Sequence, residues 1–202
     1  MSHFKKLSLI SQFYPFFLIF FHLFVSIAVA ADKVVVIPLF GNEAISRSCE
    51  GTLSSGDRWC DNGDGTVTDM TTGLVWLKDA SWGGSKAWRC VSSLLICDDD
   101  FDDAHSRAGI LRNGYGGLTD GSEIGDWRLP TMIELSEITI GTEKVSVATP
   151  GFFTGIQNNY YWTSTTNPAS NNVARCLAPV DGFHTWYVKE TGYYVWPVRA
   201  RN

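Results

Sequence analysis

Histidine is scarce in this chain, with four in 202 residues, and two of them, His3 and His22, fall in the first 30. Only His105 and His184 follow, and no Gly-x-Ser-x-Gly elbow seats a nucleophile, so a Ser/His/Asp hydrolase has no signature here. Cys49, Cys60, Cys90, Cys97 and Cys176 include no Cys-x-x-Cys or Cys/His spacing, which argues against a zinc site. A basic surplus is also missing: 16 Lys and Arg stand against 21 Asp and Glu. An acidic surface repels nucleic acid and anionic lipid, so neither is an expected partner. No internal repeat or long low-complexity segment divides the chain, and one folded domain is the economical reading.

What is present begins with an export signal. Lys5 and Lys6 precede an apolar run from Phe13 to Ala30, which closes on the small-x-small triplet Ala28-Val29-Ala30. The run is close to the ~18 residues that span a bilayer. Pro15, His22 and Ser26 interrupt it, so the expectation is a cleaved signal peptide over residues 1–30, with no membrane insertion afterwards. Export leads to the periplasm, the cell surface or the medium. All five cysteines lie beyond residue 30, in an oxidising compartment where disulfides persist. Five cysteines allow 15 arrangements of two bridges. Short loops favour Cys49 with Cys60 and Cys90 with Cys97, leaving Cys176 buried and free or paired between chains in an oligomer.

Past the signal, Lys33 to Phe40 is β-branched and apolar and reads as a strand, followed by a polar tether to Arg58. Trp59 to Leu77 reads as a β-meander, reversed at Asn62-Gly63-Asp64-Gly65 and at Thr71-Thr72-Gly73, because glycine supplies the positive φ that tight turns require. Phe101, Ala104, Ala108 and Leu111 recur at helical steps, and Asn113-Gly114 is the expected stop. Pro130-Thr131 opens a second helix that should turn Met132, Ile133, Leu135 and Ile138 inward. Tyr160–Thr165, Val173–Ala178, His184–Lys189 and Tyr193–Arg199 read as strands. The class is α+β, with two helices and antiparallel sheets.

Three blocks are more specific: Asp61 to Trp76, Gly125-Asp126-Trp127-Arg128-Leu129-Pro130-Thr131, and Tyr160 to Thr166. In this order and spacing they resemble the Lcl C-terminal domain, a secreted bacterial family named for a collagen-like adhesin. The resemblance covers residues 59–202, with 31–58 as strand and tether. It implies a fold similar to C-type lectins and formylglycine-generating enzymes. Those enzymes use a cysteine pair in the C-terminal half, where this chain has only Cys176. The lectins' calcium-dependent sugar motif is half matched by Asn167-Pro168-Ala169, and its Trp-Asn-Asp element is absent.

Asp61, Asp64 and Asp69 place hard oxygen donors in one hairpin, so calcium is the one cofactor considered, although Gly63 and Gly65 stand where EF-hand ligands should be. Asp98, Asp99, Asp100, Asp102 and Asp103 suit a helix N-terminus. Arg128 is expected to make a structural fork rather than a catalytic contact. Strand alternation puts Trp186 and Tyr187 on opposite faces. The expected ligand-binding residues are Asn167, Asn171, Asn172, His184, Trp186 and Tyr187, on the loop Thr166 to Asn172 and the strand around His184. The expected function is non-enzymatic recognition of a glycan or protein. An exported enzyme of the formylglycine-generating type, an uncharacterised hydrolase and a structural envelope or appendage component are the alternatives.

Overall fold

The computed structural model of the chain describes residues 25–30, 33–38, 48–89 and 102–201. It contains two compact units, Met1–Ile45 and Ser46–Asn202. In the first, β1 (Val25–Ala30) pairs antiparallel with β2 (Lys33–Pro38), from Val25 opposite Pro38 to Ala30 opposite Lys33. β1 is the last stretch of the expected signal, so cleavage after Ala30 would leave β2 without this partner.

The second unit begins within the expected tether. β3 (Thr52–Leu53) pairs with β4 (Trp59–Asp61), and a disulfide joins Cys49 to Cys60. The expected meander then forms from β4, β5 (Thr66–Asp69) and β6 (Leu74–Leu77). Its first turn carries Gly63 and Gly65 at φ of 78° and 90°, a region closed to most side chains. A short strand, β7 (Ser85–Lys86), follows.

Both expected helices are present and short. α1 (Ala104–Gly109) is capped by Asp103, whose carboxylate accepts the Ser106 N–H at 2.8 Å. It ends before the expected Asn113-Gly114 stop, because Gly109 is a poor helix residue and its carbonyl is taken by the Gly125 N–H at 2.9 Å. α2 (Met132–Glu137) starts from Thr131 in a capping box with Glu134. Leu135 and Ile138 are fully buried, whereas Ile133, expected inward, is 73% exposed. At about 100° per residue, position 133 points away from the face that Leu135 and Ile138 share.

The remaining strands are β8 (Tyr161–Asn167), β9 (Ser170–Leu177), β10 (His184–Val188), β11 (Tyr193–Tyr194) and β12 (Val198–Ala200). One five-stranded sheet runs β12-β6-β5-β4-β3, and the other runs β10-β9-β8-β11-β7. Among the described strands the β8–β11 pairing is parallel and the others are antiparallel. β12 lies beside β6, and Arg201 donates to the Ser48 carbonyl at 2.9 Å, which brings the two ends of the unit together.

The second sheet separates two buried clusters. Tyr161, Leu177 and Trp196 belong to one, with Leu135 and Ile138 beside α2, while Trp162, Cys176 and Val195 belong to the other, with Ala104 and Ala108 of α1. Neighbours in sequence enter opposite clusters because successive strand side chains alternate across the sheet. The segment Trp127-Arg128-Leu129 also reaches both clusters, Trp127 joining the first and Leu129 the second, although strand alternation would put residues two apart on one face. Between them, the Arg128 and Val198 backbones exchange two hydrogen bonds of 3.0 Å. The Arg128 guanidinium forks onto Glu134 at 2.7 and 2.8 Å, so its role is structural as expected.

Trp127 is buried, and its indole N–H donates to Ser122 at 3.0 Å. Trp127→Ala should cost about 3–5 kcal/mol in chemical denaturation, the range for emptying a large buried aromatic site. A near-neutral result would contradict this packing. The hydrogen bonds from Arg128 hold the Glu134 carboxyl below the usual range against an opposing push from burial. A depressed folded-state pKa contributes stability above the unfolded value, and that stability disappears as pH falls through the folded value. Glu134→Gln should therefore flatten the acid limb of a stability-versus-pH curve. An unchanged limb would show that the fork contributes nothing there.

Candidate ligand-recognition surface

β10 is an edge strand whose inner neighbour is β9, with Trp186 opposite Arg175, Tyr187 opposite Ala174 and Val188 opposite Val173. This register sorts the expected binding residues. Trp186 and Arg175 share the face turned away from the second cluster, at the sheet edge, where the guanidinium lies 4.2 Å from the ring centroid. Val188 is 50% exposed on that strand, and Phe183 just before it is 56% exposed. His184 opens the strand and is exposed, as are Asn171 and Asn172 on β9.

Two expected residues are occupied elsewhere. Tyr187 turns to the second cluster, with its ring 4.9 Å from Tyr193 and 5.3 Å from Tyr160. The pleat that turns the half-buried Trp186 away from this cluster places Tyr187 in it. Asn167 closes the β8–β9 hairpin, where its side chain accepts the Ala169 N–H at 2.8 Å and its backbone pairs with Ser170. The expected loop from Thr166 to Asn172 is thus mostly two strand ends and a tight turn. Arg175 is the residue that sequence reasoning missed. Its signal is the register 186 to 175, which no local pattern supplies.

The expected metal ligands serve separate local tasks. Asp61 pairs with Lys78 at 2.6 Å, and Asp64 accepts from the Thr66 N–H and hydroxyl at 3.0 and 2.6 Å. Asp69, at the far end of β5, is buried against Arg58 at 3.3 Å and accepts the Thr71 N–H at 2.9 Å. Among the described residues, no three His, Cys, Asp or Glu side chains come together as metal ligands would. A polar cleft of about 480 Å3 is lined in part by Asp64 and Asp120, but Asp120 is bound by Arg199 at 3.1 Å. In the second acidic group, Asp102 pairs with Lys86 and Arg107 and Asp103 caps α1, while Asp98, Asp99 and Asp100 lie outside the described residues.

His105 packs edge-on against Trp88 at 4.4 Å, and burial depresses its pKa. Its side chain is nonetheless exposed, as that of His184 is. Among the cysteines, the expected Cys49–Cys60 bridge is present, and Cys90 and Cys97 lie outside the described residues. Cys176 is free and fully buried, and its thiol is pushed up to about 12 by that burial. Such a thiol holds little of the thiolate that alkylation and exchange require. Iodoacetamide at pH 8 should leave Cys176 untouched in the folded protein and label it after denaturation, as read by peptide mass spectrometry. Rapid native labelling would show that the second cluster opens.

Among the described residues, no helix is long and apolar enough to cross a membrane. No curated protein matches the chain. The family described as the Lcl C-terminal domain matches residues 65–199, from the first meander turn to β12. That match takes in both helices, the Trp186–Arg175 pair and both clusters apart from Trp59, and the chain belongs to the Lcl C-terminal domain family.

Proposed function

We propose that this protein is an exported, non-enzymatic recognition module with a C-type-lectin-like fold, which binds a glycan or protein ligand on the outer face of β9 and β10. The observation that carries the reading is the Trp186–Arg175 pair, an aromatic plane with a guanidinium stacked over it at the edge of the sheet. Aromatic and arginine side chains supply most of the energy at protein recognition sites, because they combine apolar area with directional polar contacts. Phe183, Val188 and His184 extend the surface, and the Asn171 and Asn172 side chains add hydrogen-bonding groups at its margin. Beneath it, the β8 bulge is tied to α2 by the Thr165 hydroxyl, which accepts the Met132 N–H at 2.9 Å. A rigid scaffold under variable surface groups suits recognition.

The Cys49–Cys60 disulfide fits an oxidising compartment and supports export to the periplasm, surface or medium. Burial of Cys176 disfavours a structural component crosslinked through that thiol.

Binding of the purified exported chain to glycan and protein arrays, with and without chelator, tests ligand class and calcium together. On any ligand found, Trp186→Ala should weaken binding by more than ~2 kcal/mol while leaving the melting temperature nearly unchanged. Tyr187→Ala should instead lower stability, because it empties part of the tyrosine cluster. If Trp186→Ala binds normally, or if it unfolds the domain, the outer face is not the site.

A further inference from the structure

A second site lies elsewhere in the domain and does not depend on the β9–β10 face. A cavity of about 400 Å3 opens between the 54–59 turn and the 143–152 loop, lined by Ser54, Ser55, Trp59, Lys144, Thr149 and Phe152 among others. That volume lies in the range of small-molecule sites. Trp59 is only 2% exposed yet reaches the cavity, and the half-buried Phe152 packs against the same cluster, so the aromatic groups come from the core. The cavity is therefore preformed, and a ligand ring entering it meets side chains that have already lost their rotamer freedom.

Its walls are held by strained backbone. Among the described residues, the two non-glycine residues at positive φ are Asp57 at 62° and Glu143 at 52°, one on each wall. Such conformations persist only where surrounding contacts over-determine them. The contacts here are plain. The Glu143 carboxylate accepts from the Ser54 hydroxyl at 3.0 Å and from the Gly56 and Arg58 N–H groups at 3.1 and 3.0 Å, while its carbonyl accepts the Trp59 indole N–H at 2.8 Å. A Cβ at Gly56 would stand 2.5 Å from the Glu143 carboxyl carbon and would displace that side-chain end from its hydrogen bonds.

Charge selects the ligand. Burial opposes ionisation of Glu143, but the hydrogen bonds from Arg58, Ser54 and Gly56 and the Arg58 charge outweigh it, so its negative charge is already satisfied within the wall. Arg58 is itself paired with Asp69. Lys144, the exposed neighbour of Glu143, has no ion pair or side-chain hydrogen bond among the described residues, which leaves an ammonium at an apolar aromatic cavity.

We infer that this cavity binds a small aromatic carboxylate, with the ring against Trp59 and Phe152 and the acid on Lys144. A free aromatic acid and the C-terminal aromatic residue of a peptide share this chemistry. The test is a proton–nitrogen NMR titration of the purified chain with N-acetylphenylalanine, N-acetylphenylalaninamide and a tetrapeptide ending in phenylalanine. The acid should shift the Trp59 indole N–H and the Gly56 and Lys144 amides, and the amide should bind about tenfold more weakly, a change of ~1.4 kcal/mol. Lys144→Gln, at an exposed position, should abolish the preference for acid over amide. Thr149→Trp, which fills the cavity, should abolish binding, and if that variant does not fold, the Lys144→Gln result decides alone. Equal binding by the tetrapeptide identifies a chain terminus as the source, and its failure with the acid still bound identifies a free acid. Shifts confined to other residues, equal affinity for acid and amide, or a folded Thr149→Trp that still binds would overturn the inference. None of these outcomes bears on the Trp186 surface, which shares no residue with the cavity.

Discussion

A buried indole carries one N–H that seeks an acceptor, and among the described residues five of the six buried tryptophans meet that demand, the fully buried Trp76 being the exception. Trp59 donates to the Glu143 carbonyl, Trp88 to Thr163, Trp162 to Lys86, Trp196 to Leu77, and Trp127 to the Ser122 hydroxyl. Four of these bonds join residues at least 75 positions apart. An unmet buried donor costs ~1–3 kcal/mol, so each such bond fixes where a distant loop can run. The helices are six residues each, too short to hold themselves in water, and several strands have two or three. Regular structure alone would not hold so much loop, and the tryptophans serve both as core and as ties between loops.

Rigidity gained in this way frees other positions. The second sheet is covered by both clusters, yet Trp186 and Arg175 belong to neither and are stacked on each other, half-buried. Their partners across the sheet, Tyr187 and Ala174, pack inward and keep the strands in register whatever stands on the outer face. This separation of scaffold from surface is the physical basis for reading the domain as a recognition module.

Most acidic side chains are engaged by their immediate surroundings. Asp64 and Asp103 hold a turn and a cap, Asp69 and Asp120 bind arginines, and Glu134 completes both a capping box and a fork. Glu143 belongs with them, but at a cost in backbone strain that the others do not carry. That strain shapes the wall of the aromatic cavity and leaves Lys144 as its free charge.

The sequence by itself determined whatever is local. Glycine at Gly63, Gly65 and Gly73 dictates the meander turns, Thr131 with Glu134 dictates the start of α2, and a sequence separation of 11 was short enough to suggest the Cys49–Cys60 bridge. Alternation also foretold that Trp186 and Tyr187 would face opposite ways, because the strand period is two. Tertiary structure decided which of them faces out, since that depends on what covers each side of the sheet. It decided the Arg175 partner and the early end of α1, through a register and a loop contact that no local pattern encodes. It also turned Ile133 to solvent and formed the cavity wall at Glu143, where a glutamate takes a glycine-like φ only because residues 54–59, over eighty positions away, supply the hydrogen bonds that hold it.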